Sequence, residues 1–284
     1  MKELTLTPHL KKKLRRLAKE PEKLYCAGDP AILEGHTIVA IVGTRKPTPY
    51  GKAMTTKLAG DLAKAGVIIA SGNAIGVDVI AQKAALDNDG KVISVLPSGL
   101  DNIYPATNRR VAEQIRETSG LLISEYKPGH NPTRYDFLHR NRLIAAMSDL
   151  VIVVEAAEKS GSLNTAKHAK DIKMPIAAVP GNVTSPMSSG TNALLKEGAH
   201  LVRSAEDVLK ILGISPSAKQ TLLNLEGDDE IQTRILQSIS SGIADPHEIQ
   251  TQANISATEF QVAVTMLEVN GRIATNDLGQ LVIK

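Results

Sequence analysis

Residues 36–43 read HTIVAIVG, an almost unbroken apolar run that ends at a glycine and continues into Thr44 and Arg45. An apolar run of this length is typical of a β-strand that is covered on both faces of a sheet. Six more runs of this kind follow, at 66–72, 91–98, 121–126, 150–156, 175–181 and 200–204. Segments with helical spacing, such as 54–66 and 77–89, separate them. This alternation predicts an α/β fold with a right-handed, doubly wound parallel sheet.

The same pattern divides the chain into four segments. Residues 1–35 are expected to form a short basic helical extension, and residues 36–213 the α/β domain. Residues 214–229 are polar, lose the α/β rhythm and are interpreted as a linker. Residues 230–284 show three helical segments followed by a hairpin, which is the winged-helix pattern.

Composition limits the possible classes of protein. The chain has 284 residues, of which 42% are hydrophobic and 22% charged, as in an ordinary globular protein. No apolar stretch approaches the roughly 20 residues that a membrane span needs. Cys26 is the only cysteine, which excludes an intrachain disulfide and a thiolate metal cluster. The basic N-terminus has no apolar core of a signal peptide, so a cytoplasmic location without membrane contact is expected.

The net charge of +3 hides an asymmetry along the chain. From residue 226 onward there are nine acidic and three basic residues, a balance of −6 that leaves +9 on residues 1–225. A basic body suits a polyanionic partner, and an acidic tail argues against a second DNA-binding surface. An unevenly charged, solvated surface without a partner is the alternative.

Glycine-rich and polar segments follow five of the predicted strands. They are 43–45, 71–78, 97–108, 159–165 and 180–182. Ligands of an open parallel sheet bind beyond the carboxyl ends of its strands. Glycine lets backbone amides approach an anion there, and a helix N-terminus adds about half a positive charge. A row of phosphate sites is therefore expected, while the dinucleotide and ATP loop motifs are absent from the sequence.

The segment 134–149, RYDFLHRNRLIAAMSD, places arginines around one of the two phenylalanines of the chain, Phe137. These arginines are Arg134, Arg140 and Arg142. A cationic groove with an aromatic platform is the usual solution for binding single-stranded nucleic acid. The alternative is a buried Phe137 with solvated arginines.

Candidates for catalysis are few. The histidines show no metal-binding spacing, and only Asp78, Asp101 and Glu125 lie at strand ends as possible acids or bases. Asp78 is better interpreted as a cap of the glycine-rich loop. No catalytic residue, metal or cofactor is predicted, and the protein is expected not to be an enzyme.

Seven stretches, taken together, resemble the DNA-processing protein A family (DprA, also called Smf). They are IVGTR (41–45), SGNAIGVD (71–78), LPSGLDNIYPATN (96–108), SEYKPG (124–129), FLHRNRLIAAMSD (137–149), VVEAAEKSGSLNTAKHA (153–169) and AVPGNVTSPMSSGTNALLKEGA (178–199). The resemblance implies an extended Rossmann-like domain that binds single-stranded DNA without sequence preference and forms a homodimer. It further implies a recombination mediator that loads the RecA recombinase onto incoming DNA in natural transformation.

Carried over by position, the resemblance implies ten DNA-binding residues. They are Arg45, Lys46, Gly72, Phe137, Arg140, Asn141, Arg142, Lys159, Gly161 and Ser162. Gly181 and Asn192 are further candidates. Many family members carry a helical SAM-like domain before the sheet, and the first 35 residues here are too few to form one.

Two other functions are compatible with the fold class. The first is a nucleoside monophosphate phosphoribohydrolase-like enzyme, whose P-G-G-x-G-T-x-x-E signature is replaced here by EKSGSLNTA at 158–166. The second is a winged-helix regulator with a ligand-sensing body. The acidic tail counts against the regulator because duplex binding needs Lys and Arg to neutralise phosphates.

Overall fold

The apolar run at the start of the predicted sheet forms the strand Ile38–Val42, and all five of its residues are buried. Val39 and Ile41 pack into one hydrophobic core, whereas Ala40 and Val42 pack into another. Successive side chains of a strand point to opposite faces of the sheet. The unbroken apolar run therefore reflects a strand that has a core on each face.

The computed structural model describes residues 2–214, 227–276 and 279–283. Most of the predicted linker 214–229 lies outside these described residues. The chain separates into two compact units, residues 1–215 and 216–284.

The first unit contains nine strands and eight α-helices within the described residues. The strands are β1 (Lys2–Glu3), β2 (Tyr25–Gly28), β3 (Ile38–Val42), β4 (Ile68–Ser71), β5 (Val92–Leu96), β6 (Leu121–Ser124), β7 (Leu150–Val153), β8 (Ile176–Ala178) and β9 (His200–Leu201). The helices are α1 (Pro8–Leu14), α2 (Pro49–Lys64), α3 (Val77–Leu86), α4 (Arg109–Glu117), α5 (Arg134–Met147), α6 (Ser162–Asp171), α7 (Ser189–Lys196) and α8 (Ala205–Ile211).

These strands form one sheet in the order β1-β2-β6-β5-β4-β3-β7-β8-β9. The seven strands predicted from the apolar runs, β3 to β9, are all parallel to their neighbours among themselves. The prediction of an α/β fold with a large, mostly parallel sheet is confirmed. Helices α2, α3, α4 and α8 contribute to the core on one face, and α1, α5 and α6 to the core on the other.

The two antiparallel edge strands were not predicted. Residues 1–35 were expected to be only a basic helical extension, yet β2 pairs with β6 from Tyr25↔Ser124 to Gly28↔Leu121, and β1 pairs with β2. β1 is exposed and only Cys26 of β2 is fully buried, so neither strand shows the continuous apolar run by which the other strands were recognised.

The strand order reverses at β3. From β3 the chain builds β4, β5 and β6 on one side, then returns to place β7 on the other side of β3. The connections leaving β3 and β7 therefore diverge, which opens a crevice beyond the carboxyl ends of these two strands. This crevice is where a ligand of such a sheet is expected to bind.

Helix α5, which runs beside the crevice, is held at its C-terminal end by the N-terminal segment. The Lys13 ammonium lies 2.7 Å from Asp149 Oδ1 and donates to the carbonyl oxygen of Met147 at 3.1 Å. Arg16 Nη2 donates to the carbonyl oxygen of Ala146 at 3.0 Å. The last carbonyl groups of a helix have no partner within the helix, so these two cations satisfy them.

The second unit has three helices followed by a two-stranded antiparallel hairpin among its described residues. They are α9 (Glu230–Ser240), α10 (Pro246–Ala253), α11 (Ala257–Val269), β10 (Ile273–Thr275) and β11 (Leu281–Ile283). Side chains of Asp229, Asp245 and Ser256 cap the three helix N-termini. The order of elements is the one predicted, and the winged-helix assignment stays a prediction.

None of the helices within the described ranges is both long and apolar enough to cross a membrane.

We expect Lys13→Ala to lower the free energy of unfolding by about 1–3 kcal/mol, because it removes the cationic partner of Asp149 and of the Met147 carbonyl. Lys12→Ala, at the exposed neighbouring position of the same helix, is the matched control and should change stability by less than about 0.5 kcal/mol. Urea denaturation of both variants measures the difference. Equal stabilities would show that the buried pair contributes nothing net.

Candidate functional site

A groove of about 1100 Å³ occupies the crevice beyond the carboxyl ends of β3 and β7. Its lining comes from residues 42–46 after β3, from residues 134–141 of α5 and from residues 159–165 at the start of α6. Eight of the ten predicted DNA-binding residues line it. They are Arg45, Lys46, Phe137, Arg140, Asn141, Lys159, Gly161 and Ser162.

Arg45 and Lys46 are presented to the groove by the buried residue that precedes them, Thr44. The Thr44 amide donates to the carbonyl oxygen of Glu155 at 2.7 Å, and its own carbonyl accepts from the Val77 amide at 3.1 Å. Thr44 is thus fixed between the end of β7 and the start of α3. The two basic residues that follow it are exposed, so their charges are available to an anion.

Gly76 makes this arrangement possible. Its φ of +92° is a backbone conformation that L side chains rarely adopt. A Cβ at this position would also overlap the backbone of Thr44 and Arg45. The glycine of the 71–78 loop therefore permits a close approach between the start of α3 and the segment that carries Arg45.

Phe137 lies between two other groove residues. The Arg45 guanidinium carbon sits over its ring, 5.2 Å from the centroid. The ring of Tyr104 meets it edge to face, with centroids 5.4 Å apart and an interplanar angle of 70°. Both contacts are of favourable geometry for an aromatic ring. Phe137 is half-buried, which differs from the buried core residue of the alternative interpretation, and its role as an aromatic platform stays a prediction.

Arg140 is a buried cation at the floor of the groove, with only 4% of its surface exposed. Its Nη1 donates to the carbonyl oxygen of Gly72 at 2.6 Å and also to that of Val95. Burial lowers the pKa of the guanidinium to about 10, and the nearby Asp78 carboxylate opposes this shift. Arg140 therefore stays charged at neutral pH and joins the ends of β4 and β5.

Gly72 does not line the groove, contrary to the expectation of direct contact. A Cβ on Gly72 would lie 2.5 Å from Arg140 Nη2, so the glycine leaves room for that guanidinium. The Gly72 amide donates to Asp78 Oδ2 at 3.1 Å, as the interpretation of Asp78 as a loop cap requires. Burial raises the pKa of Asp78, and the charge of Arg140 acts in the opposite direction.

Arg142 is also absent from the groove lining, and its contact with DNA stays a prediction. Its Nη2 lies 2.6 Å from both carboxylate oxygens of Glu125, and the side chain is 6% exposed. Consecutive residues of a helix are about 100° apart around its axis. Arg142 is therefore turned away from the face of α5 on which Phe137 and Asn141 lie.

The N-terminus of α6 forms another side of the groove. Gly161 occupies the N-cap position of this ten-residue helix. The amides of its first three residues already donate: Ser162 to Ser160 Oγ at 3.4 Å, Leu163 to the Ser160 carbonyl and Asn164 to the Gly161 carbonyl. Asn141 Nδ2 donates to the Gly161 carbonyl at 3.4 Å and to Asn164 Oδ1 at 3.3 Å, which ties α5 to α6. The helix dipole gives this N-terminus a partial positive charge, and the exposed Lys159 adds a positive charge beside it.

Gly181 and Asn192 lie outside the groove lining. The Gly181 amide donates to Asn192 Oδ1 at 3.2 Å, and Asn192 Nδ2 donates back to the Gly181 carbonyl at 3.0 Å. This reciprocal pair connects the segment after β8 to α7. The side-chain amide of Asn192 is therefore already hydrogen-bonded to the backbone of Gly181.

The carboxylates considered as acids or bases all have structural partners. Asp78 accepts from Gly72, Glu125 pairs with Arg142, and Asp101 Oδ2 accepts from the Gly129 amide at 2.9 Å. Within the described ranges, no group of three or more His, Cys, Asp or Glu side chains could hold a metal ion.

Two polar side chains of the groove, Arg134 and Tyr104, were not among the ten residues carried over from the family. Arg134 is exposed at the first turn of α5, and Tyr104 projects from the loop after β5. Arg134 is predicted from the sequence only as one of the arginines around Phe137, and helical spacing also supports it, since it precedes Phe137 by three residues and Asn141 by seven. Tyr104 carried no such periodic signal, because it lies in a loop.

Comparison with known proteins identifies the family of this chain. A family model described as DNA recombination-mediator protein A matches residues 5–213. The chain belongs to this family. The family resemblance drawn from the sequence motifs is thereby confirmed.

Individual relatives also match this chain over most of its sequence. The DNA processing protein DprA of Bacillus subtilis is 36% identical over 199 residues, covering 70% of this chain and 67% of the relative. A DprA relative from Mycobacterium tuberculosis is 36% identical over 243 residues, covering 84% of this chain and 62% of the relative. The chain thus spans less than two thirds of the Mycobacterium relative's length.

Solved structures of DNA processing protein A share this architecture. The Helicobacter pylori protein, described for its single-stranded DNA binding mode, matches with a TM-score of 0.67 and 41% identity, covering 74% of this chain and 94% of that one. The Streptococcus pneumoniae protein matches with a TM-score of 0.66 and 37% identity, covering 70% and 69%.

We expect Gly76→Ala to lower the free energy of unfolding by about 3 kcal/mol or more, since it adds both backbone strain and overlap with Thr44. Gly66→Ala is the matched control, because Gly66 has a φ of +76° but open space around an added Cβ. Gly66→Ala should lower the free energy of unfolding by about 1 kcal/mol, because it adds backbone strain without overlap. Chemical denaturation measures both, and equal losses would mean that the close approach is unimportant.

Proposed function

We propose that the groove binds single-stranded DNA without sequence preference and holds the strand without cleaving it. One observation carries this proposal: exposed cations line a single groove together with an aromatic pair. The cations are Arg45, Lys46, Arg134 and Lys159, and the aromatic residues are Phe137 and Tyr104.

The chemistry of these groups fits an unpaired polynucleotide. Lys and Arg side chains neutralise backbone phosphates whatever the base sequence, and the N-terminus of α6 adds the partial positive charge of the helix dipole. Aromatic rings stack on bases, which are accessible only when unpaired. The single-stranded DNA binding mode described for the Helicobacter pylori relative supports the same assignment.

We propose a role as a recombination mediator for the whole protein. In this role a homodimer would load the RecA recombinase onto incoming DNA in the cytoplasm, during DNA processing in natural transformation. The description of the matching family as a recombination mediator supports this step. The groove itself supplies only the DNA-holding part of that activity.

The second unit is proposed to be a winged helix that does not hold DNA. Its third helix, α11, contains no Lys, Arg or His. The exposed side chains of Val262, Met266 and Val269 are four and three residues apart, so they form an apolar stripe. A recognition helix that lacks phosphate-binding cations disfavours the winged-helix regulator.

The phosphoribohydrolase alternative is also disfavoured. The segment 158–166 at the start of α6 lacks the paired glycines and the glutamate of that signature. The carboxylates at the strand ends are engaged in structural contacts, which leaves no evident general base in the groove.

We expect Arg45→Ala to weaken binding of an unstructured oligothymidine about 5- to 20-fold and to reduce the salt dependence of binding by about one phosphate contact. Lys91→Ala is the matched control, because Lys91 is exposed at the opposite edge of the sheet, just before β5. Fluorescence anisotropy at several salt concentrations measures both. Identical affinities of the two variants would show that the groove is not the binding site.

The intact protein should bind a single strand more tightly than the corresponding duplex, and it should release no adenine from AMP. Both expectations follow from an interface that needs unpaired bases and lacks a catalytic base. Competition binding and chromatography of the AMP reaction provide the measurements. Duplex preference would favour the regulator, and base release would favour the enzyme.

A further inference from the structure

Tyr104 is the more open of the two aromatic rings in the groove. Its side chain is 47% exposed, whereas Phe137 is half-buried. The Arg45 guanidinium lies over the Phe137 ring, so that ring already has a partner on one face. Tyr104 contacts Phe137 edge to face, which leaves part of the tyrosine ring open to the groove.

The loop that carries Tyr104 is fixed to its surroundings at both ends. After Tyr104, the buried Asn108 donates through Nδ2 to the carbonyl oxygen of Asn73 at 2.9 Å. Before it, the Gly99 amide donates to the carbonyl oxygen of His130 at 3.1 Å. The ring is therefore presented from an anchored loop, which lowers the entropy lost on binding a ligand.

A cation and an exposed ring share one neighbour in this arrangement. The Arg45 guanidinium carbon and the Tyr104 ring lie 5.2 Å and 5.4 Å from the centroid of Phe137. Phosphates and bases alternate along a polynucleotide, as a cation and a ring do around Phe137. A strand that places a phosphate on Arg45 can therefore bring a neighbouring base to Tyr104.

We propose that Tyr104 is the stacking platform for an unpaired nucleobase, and that Phe137 supports it from behind. This inference rests on the proposed function and assigns its base-binding subsite. Because every base has an aromatic face, stacking on Tyr104 gives affinity without sequence preference. Phe137 then acts as a positioning residue that aligns Tyr104 with Arg45.

The test compares binding of two oligonucleotides by the full chain. One is oligothymidine, and the other is an abasic strand of the same length and charge. Tyr104→Ala should weaken oligothymidine binding about tenfold, as expected for one lost stacked base, and leave abasic binding unchanged. Tyr104→Phe, which keeps the ring, should bind both strands as the parent protein does.

Tyr135→Ala is the matched control. Tyr135 is an exposed tyrosine on α5, with 68% of its side chain accessible, and it lies outside the groove lining. This variant should bind both strands normally. Thermal denaturation of each variant verifies that the fold is retained.

The outcomes separate the two proposals. Oligothymidine binding that Tyr104→Ala leaves unchanged would overturn the stacking role while the proposed function stands. An equal loss on both strands would also overturn it, since the tyrosine would then affect only the phosphate contacts. Failure of the parent protein to bind oligothymidine would remove the proposed function, and the stacking role with it.

Discussion

The buried guanidinium of Arg140 is the interaction on which the arrangement of the groove depends. It comes from α5 and donates to two carbonyl oxygens, that of Gly72 directly after β4 and that of Val95, the next-to-last residue of β5. Leaving a buried charge without partners costs several kcal/mol, so these carbonyls and the nearby Asp78 are needed to keep Arg140 in place. Once it is there, the helix that carries Phe137 and Asn141 is fixed against the strand ends.

Three arginines of one helix thus have three different tasks. Arg134 is exposed in the groove, Arg140 joins the helix to the sheet, and Arg142 forms a buried ion pair with Glu125. Of these three, only the exposed Arg134 can contact an anion from solvent. The positive potential of the groove combines this exposed charge with the deeper charge of Arg140. A purely compositional view, in which all three bind phosphate, does not distinguish these roles.

Much of the fold could be predicted from the sequence because the strands are covered on both faces. Each of β3 to β8 lies in an almost continuous apolar run, and the glycine-rich segments mark where the chain leaves the sheet. Strands β1 and β2 could not be found, since β1 is exposed and only Cys26 of β2 is fully buried, so neither forms such a run. The groove itself was anticipated because the strand ends of a parallel sheet share one edge.

The individual site residues were harder to predict. Arg45 and Phe137 lie together in the groove, but Gly72 and Arg142 do not line it. Gly72 makes room for the guanidinium of Arg140, and Arg142 pairs with the carboxylate of Glu125. Such pairings join residues far apart in the chain, such as Gly72 with Arg140. Tyr104 was missed because nothing in a loop sequence tells which side chain is exposed.

The groove of the first unit is the proposed binding site for DNA. Ultraviolet crosslinking of an oligonucleotide that contains 5-iododeoxyuridine, followed by peptide mass spectrometry, tests this most directly. The chain is well suited to it, since its two phenylalanines, Phe137 and Phe260, lie in different units. The account predicts adducts on peptides that contain Tyr104 or Phe137. Adducts confined to residues 230–284 would contradict it.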